Sequence, residues 1–159
     1  MRRMFGKWIL KKAREDNTVI LIVGDIGYGI FDKFREEFPD RFINIGICEQ
    51  SMVSIAAGLA LQGLKPYIYT ITPFLIERPY EQIKVDIVCN NANVKLIGYD
   101  DYPKQGPTHC CATNPCEFLK SLCIDVYSPK NSEQTKKFLN EIYDKNGPAF
   151  MHLRKDNGR

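Results

Sequence analysis

The fold class this sequence predicts is α/β: a doubly wound, mainly parallel sheet of about six strands. Three observations predict it. Strand-like and helix-like stretches alternate along the chain, joined by connections of about two to six residues. The run "TVILIVG" is continuously apolar and β-branched, the pattern of a strand buried on both faces. No linker, repeat or low-complexity segment interrupts the alternation, so residues 1–159 read as a single domain.

The elements follow in order. Residues 1–16, beginning "MRRMFGKWILKKAR", read as an N-terminal helix that packs Met4, Trp8 and Ile9 on its own domain or on a partner. A basic amphipathic helix lying on a membrane with Trp8 buried is the alternative. The first strand spans 18–24. Residues 30–38 place Phe31, Phe34 and Phe38 on one helical face, and Pro39 stops that helix. "RFINIG" (41–46) is the second strand, and 49–63 a helix closed by Gly63. A strand is expected over 65–71, then a largely helical stretch over 74–89 despite Pro79. Strand 93–99 leads into the polar loop 100–109. Residues 115–122 are helical, 124–129 a short strand, and 132–145 an amphipathic helix capped by Ser132. Residues 148–154 are expected to close the sheet, with His152 as a core or edge residue of that strand.

Composition narrows the function classes. The chain is 44% hydrophobic and 26% charged, enough to bury a real core. Its net charge of +3 is small and interspersed, as in Lys11, Lys12 and Arg14 followed by Glu15 and Asp16. That pattern gives little support to nucleic-acid binding. No segment approaches the roughly 20 apolar residues that cross a bilayer. With no secretory signal preceding them, the six cysteines read as free thiols in a reducing cytoplasm.

In doubly wound sheets ligands gather at the carboxyl ends of the strands. The candidates are therefore Asp25, Gly46 to Gln50, Thr72 to Phe74 and the 98–109 loop. Glu49 stands out. It follows Ile45, Gly46, Ile47 and Cys48, and no further charge occurs until Lys65. A carboxylate so placed is costly unless it is paired or keeps its proton. "VGDIGYG" (23–29) invites a nucleotide-loop reading, but its glycines are spaced G-x-x-G-x-G and fit neither the dinucleotide nor the Walker pattern. A flexible turn and a ligand role for Asp25 both remain open. A zinc cluster of His109, Cys110, Cys111 and Cys116 is disfavoured because vicinal cysteines are awkward ligands and no C-x-x-C pair is present. Cys110 as a nucleophile with His109 as base is weak, since neighbouring side chains in an extended loop diverge.

Taken together, "PDRFINIGICEQSMVSIAAGLALQGLKPYIYTITPFL", "YEQIKVDI", "NVKLIGY" and "GPTH" resemble the pyrimidine-binding domain of transketolases and 1-deoxy-xylulose-5-phosphate synthases. The resemblance runs in order from about Thr18 to Arg154. It implies the thiamine-diphosphate-binding fold and a thiamine-diphosphate enzyme. Glu49 falls on the acid that hydrogen-bonds N1′ of the cofactor's aminopyrimidine; a sheltered, protonated carboxyl would favour the imino form of the ring that takes the C2 proton. Phe74 falls on the aromatic that stacks against the pyrimidine, and Tyr80 near another aromatic of that wall. Arg78 matches a substrate-facing arginine, with a solvated helix residue as its alternative. His109 matches the loop histidine at the substrate's oxygens, and Asp25 falls loosely on an acid near the thiazolium.

The departures from the family matter equally. Its pyrophosphate and Mg²⁺ site uses a GDG motif with downstream asparagines in a separate domain, and "GDI" at Gly24 is not followed by such a pair. Gln105 stands where the family commonly has an acid. The expectation is thus a pyrimidine-binding subunit that binds no metal itself. It would pair, as α₂β₂ or as a homodimerising unit, with a separate chain carrying the pyrophosphate and Mg²⁺. The expected substrates are sugar phosphates or 2-oxo acids. The small-residue stretch Ser51 to Gly63 suits close packing between subunits or within the domain. A catalytically inactive regulatory partner of a thiamine enzyme is the alternative function.

Overall fold

The computed structural model describes residues 1–100 and 106–154; the loop residues 101–105, Gln105 among them, lie outside the described residues. The chain begins with α1 (Arg2–Glu15), β1 (Val19–Val23), α2 (Asp32–Glu37) and β2 (Phe42–Asn44). It continues through α3 (Glu49–Leu61), β3 (Lys65–Ile71), α4 (Thr72–Ile76) and a short α5 (Tyr80–Gln82). β4 (Lys95–Tyr99), α6 (Pro115–Ser121), β5 (Asp125–Tyr127), α7 (Ser132–Asp144) and β6 (Ala149–Leu153) complete it.

The six strands form one sheet in the order β2-β1-β3-β4-β6-β5, and every pairing is parallel. All five residues of β1 are buried, as an unbroken apolar run requires of a strand covered on both faces. Alternation along the strands feeds two cores. Leu21, Tyr67, Tyr69, Ile97 and Met151 face α1, α2 and α7, whereas Ile22, Ile68, Leu96 and Phe150 face α3, α4 and α6. The first core is aromatic: Phe5 lies 5.9 Å from Tyr69 and 5.7 Å from Phe31 between ring centroids.

The N-terminal helix packs on its own domain. Trp8 is buried against Tyr67, and its indole N–H donates to Asn140 Oδ1 on α7 at 2.8 Å. Met4 is only half-buried; Met1 and Phe5 take the interior positions instead. No helix among the described residues is long and apolar enough to cross a membrane.

Two expectations need correction and one is refined. The stretch 74–89 is largely helical, as expected, but in separate pieces. α4 ends at Ile76, Pro79 cannot continue an N–H ladder, and Ile83–Val88 winds as a π-helix in which Cys89 N–H donates to Lys84 C=O at 3.1 Å. α7 is capped by Asn131, whose extended backbone lets Oδ1 accept from Gln134 N–H at 2.9 Å; Ser132 is already inside the helix. The last strand does not close the sheet at an edge. β6 slots between β4 and β5, leaving β5 outermost. Gly63, by contrast, ends α3 as expected, at φ +86° where a side chain would be strained.

Two polar tethers hold the amino-terminal ends of the strands. Asp16 follows α1 and accepts from Lys65 Nζ at 2.8 Å, from Tyr143 Oη at 2.7 Å and from the Thr18 hydroxyl at 2.6 Å. One carboxylate thereby joins α1, β3 and α7. Burial works against its charge, but these donors prevail and hold Asp16 well below the usual carboxylate range. Lys95, fully buried at the start of β4, donates to the carbonyls of Lys145 (3.0 Å) and Gly147 (2.8 Å) just beyond α7. Burial lowers its ammonium from 10.5 to about 8.

Asp16 binds fewer protons folded than unfolded in mild acid, so its stabilisation is present above the ordinary carboxylate pKa and fades as pH falls through the folded value. Asp16→Asn is expected to lower stability at neutral pH and to flatten the acid limb of a Tm-against-pH curve; an unchanged limb would remove Asp16 from that role. Lys95→Met leaves two carbonyls without their donor and should destabilise by about 1–3 kcal/mol at pH 7 in denaturant titrations. Between pH 8 and 10.5 the unfolded chain carries more Lys95 protons than the folded one. The wild type should therefore gain stability relative to the variant across that window.

Candidate active site

Because every strand is parallel, the loops after all six strands open on one edge of the sheet. The chain runs outward one way from β1 to β2 and the other way from β1 towards β3 and β4, so the order reverses at β1/β3. That reversal is where doubly wound sheets leave a crevice for ligands. Residues after β1, β2 and β3 border it, and the loop after β4 reaches it from the side.

Glu49 is the first residue of α3 and is only 4% exposed. The helix N-terminus favours a negative charge at that position. The sequence leaves two ways to tolerate such an acid, and the structure displays pairing. Arg78, in the turn between α4 and α5, donates from Nη1 to Glu49 Oε1 at 2.8 Å. The same guanidinium lies 3.7 Å from the centroid of the Phe74 ring, a close cation–π contact. His109 meets the other partner of that stack in a T-shaped arrangement, with the Phe74 and His109 centroids 5.0 Å apart at 74°.

The surrounding loops are tied down. Gln50 Nε2 donates to the Arg78 carbonyl at 3.4 Å, and Glu77 accepts from Ala112 N–H at 2.7 Å, which pins the segment after His109 to the end of α4. Ile47, Cys48, Glu49, Gln50, Ser51 and Arg78 line a groove of about 520 Å³ beside the ion pair. The arrangement offers a sheltered acid at the groove and, linked to it through Arg78, a flat aromatic face with a histidine against it.

Four of the expected site residues, Glu49, Phe74, Arg78 and His109, are thus brought together. Tyr80 is not in this stack; its ring packs on Phe118 of α6 at 5.2 Å because the turn at Glu77–Pro79 carries it past Phe74. Asp25 sits at the same edge of the sheet with its own partners. It accepts from Tyr28 Oη at 2.7 Å and Asn44 Nδ2 at 3.2 Å, and these bonds hold its carboxyl below the usual carboxylate range. Its φ of +52° is strained for a residue with a Cβ, a mark often found at functional sites. The glycine-rich loop has a packing reason: Gly27, at φ +96°, would place a Cβ 2.4 Å from the Phe31 ring.

Sequence reasoning does not reveal a second polar group at this edge. His152, buried in β6, bonds Asp100 through Nε2 at 2.5 Å, and its Nδ1 lies 3.8 Å from Cys116 Sγ and 3.4 Å from Arg154 Nη2. Burial opposes the charge on Asp100, but His152 and Arg154 keep its carboxyl below the usual range; burial pushes the Cys116 thiol up. Cys116 therefore faces His152 while His109 faces Phe74, so two members of the cysteine–histidine cluster weighed from sequence have separate partners. Asp100, directly after a buried strand, is the one signal of this group in the sequence.

Comparison with known proteins agrees with this fold. Residues 1–159 match the family described as transketolase, pyrimidine binding domain. One subunit of the apulose-4-phosphate transketolase of Actinobacillus succinogenes is 37% identical over 123 residues, covering 76% of this chain and 40% of that protein. The 1-deoxy-D-xylulose-5-phosphate synthase of Acinetobacter baumannii is 32% identical over 157 residues, covering 93% of this chain and 24% of that protein. The chain therefore spans less than half the length of these relatives. Among solved structures, one described as a split gene transketolase, inactive beta4 tetramer, superposes with a TM-score of 0.86 at 25% identity, covering 98% of this chain and 50% of that one. The transketolase of Campylobacter jejuni shares the fold, with a TM-score of 0.84 at 17% identity over 96% of this chain and 25% of that one. A six-stranded parallel sheet, an acid sheltered at its carboxyl edge and the sequence match converge: the chain belongs to the transketolase pyrimidine-binding domain family.

Proposed function

We propose that this chain is the pyrimidine-binding subunit of a split, transketolase-like transferase that uses thiamine diphosphate. The observation that carries the reading is the juxtaposition of Glu49 and the Phe74 ring, bridged by one planar group. An aromatic face beside a sheltered acid suits a flat heteroaromatic ring with a basic nitrogen, so these residues fit the aminopyrimidine. The bound group would supply the nucleophilic carbon that takes up a carbonyl substrate.

The chain's own residues do the rest. Phe74 presents a stacking surface and Glu49 holds or gives a proton at the ring nitrogen. His109, T-shaped against Phe74, stands where it can donate to or accept from a substrate oxygen. Asp25 and Tyr80 flank the site at greater remove. Arg78 provides a cation for the phosphate of a sugar phosphate or the carboxylate of a 2-oxo acid. The reaction would be transfer of a two-carbon ketol unit, or of the unit left by a decarboxylated 2-oxo acid, to an aldehyde or sugar phosphate.

The pyrophosphate and Mg²⁺ are assigned to a separate transketolase-like partner. Two relatives support this: one is named as a single subunit of its transketolase, the other described as an inactive tetramer of its β chain. Ala56 and Ala57 of α3 are buried within the domain, but Ile55, Gly58 and Leu61 are exposed on its outer face with Val85 beside them. That apolar strip supports assembly with a partner or a second copy, as in an α₂β₂ complex. The cysteines among the described residues are all free thiols, which suits the cytoplasm.

Reconstitution tests the proposal. The isolated chain with thiamine diphosphate and Mg²⁺ is expected to show no appreciable turnover, and activity should appear on adding the partner chain; full turnover by the chain alone would sink the split-subunit reading. In the assembled enzyme Glu49→Gln should lower kcat by about 10²–10⁴ with an unaltered circular dichroism spectrum, because an amide cannot pass that proton. A near-normal rate would remove Glu49 from the chemistry. An assembly that binds thiamine diphosphate without any turnover would instead favour a regulatory role.

A further inference from the structure

Arg78 makes two contacts with one planar group: it stacks on Phe74 at 3.7 Å and hydrogen-bonds Glu49 at 2.8 Å. Under the function proposed above, these are the two contacts an aminopyrimidine ring would make, a face on the aromatic and a nitrogen on the acid. A guanidinium and an aminopyrimidine are both flat, delocalised N–C–N systems with N–H groups in the plane. We propose that Arg78 is an internal stand-in for the pyrimidine, occupying its place on Glu49 and Phe74, and that the ring binds by displacing it. This inference rests on that reading of the site.

The geometry allows the exchange. The Arg78 side chain is 40% exposed although its partner Glu49 is only 4% exposed, so the guanidinium has a direct path outward while the acid stays in place. The groove of about 520 Å³ alongside gives it somewhere to go. Its backbone does not need to follow, since Gln50 holds the Arg78 carbonyl and Pro79 fixes the next φ. Displacement has a chemical consequence as well. While the pair is closed, Arg78 occupies Glu49 Oε1; opening the pair frees that oxygen for a ring nitrogen. Arg78 is therefore a positioning residue whose occupancy lowers the apparent affinity for the ring by the fraction of chains in which it has swung out.

Calorimetric titration of the full chain with 4-amino-2-methylpyrimidine, and in parallel with thiamine diphosphate, tests this without any turnover assay. Arg78→Ala is expected to bind the pyrimidine about tenfold more tightly than the wild type. Added methylguanidinium should compete with the pyrimidine in Arg78→Ala and leave the wild type unaffected. Arg78→Lys, which keeps the charge for Glu49 but has no plane to lay on Phe74, should fall between the two, and serves if the alanine variant does not fold. Equal or weaker pyrimidine binding by both variants would overturn the stand-in role. If that result came with thiamine diphosphate uptake by the assembled wild-type enzyme, the stand-in alone would fall. Failure of the wild type and both variants to bind the pyrimidine, together with no uptake by the assembly, would overturn the proposed function and the stand-in with it.

Discussion

The parallel direction of all six strands is the constraint on which the rest of this structure depends. Parallel neighbours cannot be joined by tight hairpins, so each strand must hand over to a crossover that returns to the opposite end of the sheet. Every outgoing connection then leaves from the same edge. Glu49 after β2, Phe74 and Arg78 after β3, Asp100 after β4 and Arg154 after β6 share that edge for this reason. Residues 29 positions apart, such as Glu49 and Arg78, meet across the reversal of strand order. The opposite edge carries the tethers of Asp16 and Lys95, which fasten helices to strand starts. Stability is thus concentrated at one end and chemistry at the other.

The two faces of the sheet are built differently. One is covered by α1, α2 and α7 over an aromatic layer of Phe5, Trp8, Phe31, Tyr67 and Tyr69, in which rings meet edge-on or stacked. The other is mostly aliphatic apart from Phe150, with α3 packing Met52, Val53 and Ala56 in the same core as Ile22 and Ile68. Small residues on α3 let it lie close to the strands, and that closeness sets the depth at which Glu49 is sheltered. The polar site rests on packing that is mostly apolar beneath it, with Thr70 and Thr72 buried around the end of β3.

Much of the fold is legible in the sequence because it is written locally. β1 and β3 are short runs rich in β-branched or aromatic residues, and β3 begins and ends where that composition predicts. What escapes is non-local or a matter of one residue. No local pattern distinguishes a strand that ends a sheet from one inserted within it, so the place of β6 cannot be read. The break at Glu77–Pro79 and the π-helix after it depend on how the turn must fold back towards Glu49, and hydrophobic spacing alone does not record that. Ser132 and Asn131 are both good caps, and only backbone extension at Asn131 decides between them. Within the site, the burial of Glu49 follows from the apolar residues around it, whereas its pairing with Arg78 rests on tertiary proximity. His152 reads as a core residue, which it is, but its bond to Asp100 joins positions 52 apart in sequence.

The insertion of β6 bears on how the chain reaches this state as it leaves the ribosome. β1, β2, β3 and β4 can assemble in the order they are made, but β5 emerges before β6, the strand it pairs with among the described residues. Until β6 arrives, the outer rim of β4 is bare and β5 lacks its strand partner. The core under α1 and α7 stays incomplete too, since Met151 and Leu153 belong to it. Such a half-finished rim is a template for foreign strands until β6 fills the gap.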